Sequence, residues 1–127
     1  MADFYQNGTI TTLHNLGARS TEDLEKDLMS FSERRKLGLI LPSLYSEIQT
    51  PALPAIIREL QSVPYLSQIV IGLDRASQSE YEHALTFFSA LPQHHRILWN
   101  DGPRLKAIDE RLQEAGLAPT ELGKGRN

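Results

Sequence analysis

The sequence contains no cysteine among its 127 residues. This absence excludes disulfide scaffolds, zinc ribbons, iron–sulfur clusters and thiol nucleophiles, and it fits the reducing cytoplasm as the expected location. A basic surplus is absent too, since 13 Lys and Arg stand against 16 Asp and Glu and the formal net charge is −3. Without such a surplus to neutralise phosphates, general nucleic-acid binding is not expected.

Long apolar runs are also missing. No run approaches the roughly 20 residues that a membrane-spanning helix needs, so no membrane span is predicted. The first residues, Met1 to Asn7, contain neither the basic nor the apolar region of a secretory signal. What remains is ordinary globular composition, with 40% apolar and 23% charged residues, which predicts one domain or a piece of one.

A strand followed by a helix occurs three times in the second part of the sequence. Short apolar runs predict the strands, at 37–41, 68–73 and 96–99. Helical spacing of apolar residues predicts the helices, at 51–62, from 78 to about 90 and from 103 to about 115. This alternation is typical of a parallel sheet with right-handed crossovers. We therefore expect an α/β fold, a Rossmann-like three-layer sandwich with a mainly parallel sheet.

Local signals place individual helices. Ser77 and Glu80 have the spacing of a capping box, which predicts the start of the second of these helices. Apolar spacing predicts that Leu85 and Phe88 face inward from that helix, and Ile108 from the next.

Residues 1–36 precede this pattern and are predicted to form an N-terminal extension with one helix. Leu24, Leu28 and Phe31 lie on one face of a helix over 21–35, and Ser20 is placed to cap its first turn. Residues 37–127 form the second predicted unit. Because three strands leave a small sheet with two open edges, we expect the chain to be part of a longer protein.

Ligands of open α/β sheets bind outside the carboxyl ends of the strands, and this rule selects the segments that follow the predicted strands. Pro42–Glu47 could present backbone N–H groups and a carboxylate to a base or ribose, or form an ordinary polar loop. Asp74 could accept hydrogen bonds from a ligand, cap the following loop or pair with Arg75. Ser77 fits a helix N-cap better than a ligand contact, although a helix N-terminus can do both.

Lys124 is a further candidate because it lies between Gly123 and Gly125. Flanking glycines allow a diphosphate to approach the backbone, although the tripeptide alone is better explained as an exposed turn. The four histidines form no metal-ligand pattern, and the Walker A, nucleophile-elbow and dinucleotide-binding glycine motifs are absent.

Three segments occur in order at candidate strand ends and carry a family resemblance: Leu39–Glu47, Ile69–Ser77 and Gly123–Gly125. Together they resemble the start of GT-A-fold glycosyltransferases, most of all the group of glucosyl-3-phosphoglycerate and mannosylglycerate synthases. The first strand of that group ends in a Leu-Pro-Ala-Leu-Asn-Glu type of motif. Here Ser43 stands in place of the Ala and Tyr45 in place of the Asn.

The resemblance implies that residues 37–127 are the nucleotide-binding half of a truncated GT-A domain. The implied donor-site residues are Pro42, Ser43, Leu44, Tyr45, Glu47, Asp74, Ser77 and Lys124. The donor would be a UDP- or GDP-sugar, and the full protein would transfer glucose or mannose to a small acceptor such as glycerate or 3-phosphoglycerate.

The same resemblance implies that the catalytic centre lies outside this chain. A divalent metal, Mg²⁺ or Mn²⁺, is expected for the full-length enzyme, with no ligand in these residues, and the chain alone is expected to be inactive. The enzyme could form a homodimer.

Other functions remain open. One is a non-catalytic α/β module that binds nucleotides or regulates a partner. A response regulator is disfavoured because Pro42 and Ser43 stand where its acidic pair would be. A nucleotidyltransferase would have a glycine-rich basic loop after its first strand, and residues 43–50 contain no Gly, Lys or Arg.

Overall fold

The computed structural model describes residues 19–118. Its helices are α1 (Thr21–Arg34), α2 (Ala52–Leu60), α3 (Gln78–Phe88) and α4 (Pro103–Glu114). Its strands are β1 (Leu37–Leu44), β2 (Leu66–Asp74) and β3 (His95–Trp99), and a 3₁₀ turn spans Tyr45–Gln49. None of the helices within this part of the chain is long and apolar enough to span a lipid bilayer.

The strands form one sheet in the order β1-β2-β3, and both pairs are parallel. The predicted α/β class with a parallel sheet is confirmed. The register pairs Leu44 with Asp74 and Leu73 with Trp99, so the three strands end side by side. The helix predicted in the N-terminal extension is confirmed as α1, where the Ser20 side chain accepts a hydrogen bond from the Asp23 N–H at 3.1 Å. The division of the chain into two units stays a prediction.

The core lies on one face of the sheet. Ile69, Ile71 and Leu73 alternate along β2, point to this face and are fully buried. Helices α2 and α3 contribute to the same cluster, with Leu53, Ile57, Ala84 and Phe88. On the opposite face, Ile40 is 67% exposed and Leu98 51% exposed within the described part of the chain.

Strand β1 continues through Pro42 to Leu44, so the predicted end at Leu41 is wrong. The reason is the direction of the backbone groups. In β2, the Ile69 N–H donates to His94 O and the Leu73 carbonyl accepts the Asn100 N–H. The backbone groups of Ile69 and Leu73 therefore point toward β3, and those of the residues that alternate with them point toward β1. Pro42 pairs in register with Gly72, which faces β1, so Pro42 itself faces the outer edge. Its missing N–H therefore removes no bond from the sheet.

Two apolar residues predicted to face inward are largely exposed. Leu85 of α3 is 44% exposed and Ile108 of α4 is 51% exposed, whereas Phe88 is fully buried as predicted. Helical spacing identifies residues that share a face, but burial also needs an element that packs against that face. Within residues 19–118, no α4 residue is fully buried.

Candidate functional site

The candidate site is the carboxyl edge of the sheet, where β1, β2 and β3 end at Leu44, Asp74 and Trp99. Each strand is followed by a polar segment: the 3₁₀ turn after β1, the turn 74–77 after β2 and residues 100–102 after β3. This is the edge at which open α/β sheets bind ligands.

A cavity of about 440 Å³ lies beside the end of β1. It is lined by Pro42, Ser43 and Glu47, and by Leu53 and Ile56 of α2. Ser43 is 2% exposed, and its side-chain hydroxyl has no hydrogen-bond partner among the described residues. Because a buried hydroxyl without a partner is unfavourable, this position favours a polar ligand atom in the cavity.

Glu47 fixes the chain where it leaves β1. Its Oε2 accepts the Leu44 N–H at 3.0 Å, and its backbone oxygen accepts the Thr50 hydroxyl at 2.8 Å. The Leu44 N–H faces the outer edge of the sheet, by the same alternation that turns Pro42 outward. The carboxylate of Glu47 is thus engaged with the backbone of the turn while it lines the cavity.

Tyr45 lies between this turn and α3. Its hydroxyl is 2.9 Å from His83 Nδ1, and the two rings meet edge to face with centroids 5.9 Å apart. The Tyr45 ring also packs against the apolar core. The contact anchors the turn to α3, and it is a contact that the sequence did not predict.

The turn after β2 has a strained backbone. Asp74 is 7% exposed, and its Oδ1 accepts the Arg75 N–H at 3.0 Å. Arg75 has a φ of 55°, the left-handed conformation that costs a side-chain-bearing residue about 1–2 kcal/mol. Of the alternatives that the sequence left open for Asp74, the structure contains the one in which it caps the following loop.

Two residues at the end of β3 and just after it hold this turn from the side. Asp101 Oδ2 accepts the Ala76 N–H at 3.1 Å, and the Trp99 indole Nε1–H donates to the Ala76 carbonyl at 2.8 Å. The indole also stacks on Tyr81, with centroids 4.7 Å apart and an interplanar angle of 7°. Both polar groups of the buried Ala76 backbone are therefore bonded to the neighbouring strand end.

Ser77 is the N-cap of α3, as the capping-box spacing predicts. Its N–H donates to Glu80 Oε2 at 2.7 Å, and its hydroxyl accepts the Glu80 N–H at 3.4 Å. The hydrogen bonds from the Ser77 backbone and side chain lower the pKa of Glu80. These bonds explain Ser77 without a ligand, and a ligand contact of Ser77 stays a prediction.

The acidic side chains of the described residues are not gathered into a cluster of metal ligands. No group of three or more His, Asp or Glu between residues 19 and 118 is placed to hold a metal ion. At the carboxyl edge, Glu47, Asp74 and Asp101 each accept a backbone N–H with a carboxylate oxygen. These carboxylates shape the turns and do not converge on one point.

The predicted donor-site residues thus fall into three groups. Pro42, Ser43 and Glu47 share the cavity, and Leu44 is the register partner of Asp74. Tyr45 and Ser77 are engaged with α3, and Lys124 lies outside the described residues. Their roles toward a ligand stay predictions.

The strand-end segments selected from the sequence contain Arg75 and Asp101, but the sequence singled out neither of them as a site residue. A usable signal existed for Asp101, since it follows β3 much as Asp74 ends β2. No local sequence pattern predicts the positive φ of Arg75, because glycine or asparagine usually occupies a position with a positive φ.

A parallel sheet with polar turns at its carboxyl edge is typical of open α/β proteins, which bind ligands at that edge. Two curated proteins are similar to this chain over nearly all of its length. The chain is 46% identical over 127 residues to the glucosyl-3-phosphoglycerate synthase of Persephonella marina, a match that covers 100% of this chain and 32% of the relative. It is 37% identical over 126 residues to the glucosyl-3-phosphoglycerate synthase of Methanococcoides burtonii, which covers 98% of this chain and 31% of that relative.

These similarities confirm the resemblance predicted from the sequence. The chain spans about a third of the length of the curated relatives it matches. No family model matches the chain, and no solved structure matches it.

Proposed function

We propose that the whole protein is a nucleotide-sugar-dependent glycosyltransferase and that residues 37–127 supply much of its donor-nucleotide site. The similarity to two glucosyl-3-phosphoglycerate synthases supports the reaction class. By their names, the transferred sugar is glucose and the acceptor is 3-phosphoglycerate. The donor is then a UDP- or GDP-sugar.

The single observation that carries the donor site is the Ser43 hydroxyl. It is buried and has no hydrogen-bond partner in the described part of the chain, and Ser43 is one of the residues that line a cavity at the carboxyl end of β1. A polar atom of the nucleoside in this cavity would supply the missing hydrogen bond. Proposed contacts from Asp74, on the adjacent strand, would then orient the nucleoside across the two strand ends.

In this proposal the described residues bind and orient the donor and do no covalent chemistry. A rigid donor site lowers the barrier to transfer because the reacting sugar carbon is held in place before the acceptor arrives. Since the carboxylates of this edge are already bonded to backbone N–H groups, a Mg²⁺ or Mn²⁺ ion is not assigned to them.

The first experiment measures binding of UDP-glucose and GDP-glucose to the full-length protein by calorimetry. Ser43→Ala is expected to weaken the preferred donor roughly threefold to tenfold, the value of one hydrogen bond. Ser67→Ala is the matched control, because Ser67 lies at the opposite end of β2 and its hydroxyl donates to Leu37 O. Lys124→Ala tests the candidate that lies outside the described residues.

Turnover is the second readout. We expect transfer of glucose from the nucleotide sugar to 3-phosphoglycerate, followed by release of the nucleoside diphosphate. A protein that binds the donor but transfers no sugar to any phosphorylated or unphosphorylated glycerate would instead be a non-catalytic nucleotide-binding module. If Ser43→Ala and Ser67→Ala bind the donor equally well, the cavity beside β1 is not the donor site.

A further inference from the structure

Arg75 has the one positive φ among the non-glycine residues of the described chain. It follows Asp74 at the end of the central strand, between two buried residues, and is itself exposed. Asp74, Asp101 and Trp99 together bond its backbone N–H and both polar groups of Ala76. The turn is therefore held firmly while the Arg75 side chain projects from it.

Glycine would form the same turn at lower cost, because it has no Cβ to disfavour a positive φ. The turn by itself therefore gives no reason for an arginine. Strained backbone that is held in place by its surroundings is concentrated at functional sites, where the strain positions a group for use. The guanidinium is the group that this turn positions.

Arg75 is the one positively charged residue of the strand-end turns within residues 19–118. The other charged residues of the strand-end turns are acidic, namely Glu47, Asp74 and Asp101. Arg104 in the first turn of α4 is the nearest cation in sequence after β3. No ion pair engages the Arg75 guanidinium among residues 19–118. A planar guanidinium matches a phosphate group, which it binds with two parallel hydrogen bonds.

We propose that Arg75 binds a phosphate group of a substrate at the carboxyl edge of β2. This inference rests on the proposed function, which offers two sources of that phosphate. One is the diphosphate of the nucleotide sugar, and the other is the phosphate of the acceptor. Both present the same chemistry to the guanidinium, and they are separated by experiment.

The test uses the full-length protein and three variants. Arg75→Gly removes the side chain and relieves the strained φ, and Arg75→Lys keeps the charge but loses the planar fork. Arg58→Gln is the control, because it removes an exposed positive charge from the last turn of α2, away from the strand-end turns. Affinities are measured for UDP and GDP against uridine and guanosine, and for 3-phosphoglycerate against glycerate.

We expect Arg75→Gly to unfold at the same or a higher urea concentration than the unmodified protein, because the strain is gone. We also expect it to lose roughly tenfold to hundredfold in affinity for one phosphate-bearing ligand, while the matching phosphate-free compound binds as before. The affinity of Arg75→Lys for the phosphate-bearing ligand should lie between those of Arg75→Gly and the unmodified protein. Arg58→Gln should bind the phosphate-bearing and the phosphate-free compounds as the unmodified protein does.

The outcomes are distinct. Loss of UDP or GDP affinity assigns Arg75 to the donor diphosphate, and loss of 3-phosphoglycerate affinity assigns it to the acceptor. Equal phosphate selectivity in Arg75→Gly and the unmodified protein overturns the inference and leaves the proposed function intact. If the unmodified protein itself binds neither nucleotides nor 3-phosphoglycerate, the proposed function fails and this inference with it. A loss of affinity for phosphate-bearing and phosphate-free ligands alike also overturns it, because it indicates a structural role.

Discussion

Gly102 occupies a position where even one added methyl group meets fixed atoms. A Cβ at this residue would lie 2.8 Å from Trp99 Cε3 and 2.9 Å from the Trp99 backbone oxygen. That oxygen also accepts the Gly102 N–H at 3.0 Å, so it has little freedom to move away. The φ of Gly102 is −72°, which any residue adopts, so Gly102→Ala introduces a steric contact but no backbone strain.

The size of the effect follows from two opposing terms. Forcing an extra carbon into close-packed surroundings costs about 1–3 kcal/mol, and contact with a backbone atom favours the upper half of that range. Replacing glycine by alanine also stabilises by about 0.4–1 kcal/mol through the unfolded chain. We therefore expect Gly102→Ala to lower the free energy of unfolding by about 1–2.5 kcal/mol. With a typical urea dependence for a small domain, the unfolding midpoint falls by about 1 M.

The assay is urea unfolding followed by tryptophan fluorescence. Trp99 is the sole tryptophan of the sequence, and its atoms are the ones that the added Cβ would displace. The fluorescence spectrum of the folded protein should therefore change as well. Gly38→Ala is the matched control, because its Cβ would lie 3.6 Å from Gln68 O, an ordinary contact. We expect the control to be as stable as the unmodified protein or more stable by up to about 1 kcal/mol, because it gains the same unfolded-chain term without the clash.

Equal midpoints for Gly102→Ala and Gly38→Ala would refute the steric reasoning. So would a loss of stability without any change in Trp99 fluorescence, because the clash would then have been relieved somewhere other than at the indole.

Three further predictions concern the same edge of the sheet. Ser43→Ala should leave the free energy of unfolding in urea unchanged or raise it by up to about 1 kcal/mol, because the buried hydroxyl has no partner to lose within the described residues and its burial is unfavourable. A clear loss of stability would contradict this reasoning. Trp99→Phe should cost about 1 kcal/mol by circular dichroism, because the Ala76 carbonyl loses its 2.8 Å donor, and equal stability would contradict that bond. The hydrogen bonds from Ser77 lower the pKa of Glu80 below 4.5, so the charged carboxylate stabilises the fold above that pH and the contribution is lost as pH falls through the lowered value. The advantage of the unmodified protein over Glu80→Gln in urea midpoint should therefore shrink between neutral pH and about pH 3, and a constant difference would contradict the assignment.

Features that depend on a few neighbouring residues were predictable from the sequence. The capping box of α3 is an example, because Ser77 and Glu80 are three positions apart and bond each other directly. The strands were predictable because their apolar runs differ from the polar segments around them. Ser20 was likewise predictable as a cap, since its partner is the nearby Asp23.

The end of β1 was not predictable, because it depends on a distant strand. Whether Pro42 interrupts the sheet is decided by the direction of its missing N–H, and that direction follows from the register with Gly72. Proline signals the end of a strand only where a neighbour would need that N–H. The exposure of Leu85 has a similar cause, since its spacing cannot tell whether another element packs against it.

The candidate site shows the same division between local and distant causes. Asp74 could be selected from the sequence because it ends an apolar run, and its bond to the Arg75 N–H is local. Arg75 itself acquires its orientation from Asp101 and Trp99, which are more than twenty residues away. Because Asp101 and Trp99 bond the backbone of Ala76, a substitution at the end of β3 alters the turn at the end of β2 although the residues of that turn are unchanged. A substitution such as Gly102→Ala, which displaces Trp99, should therefore act on phosphate binding by way of Arg75, whereas Gly38→Ala should not.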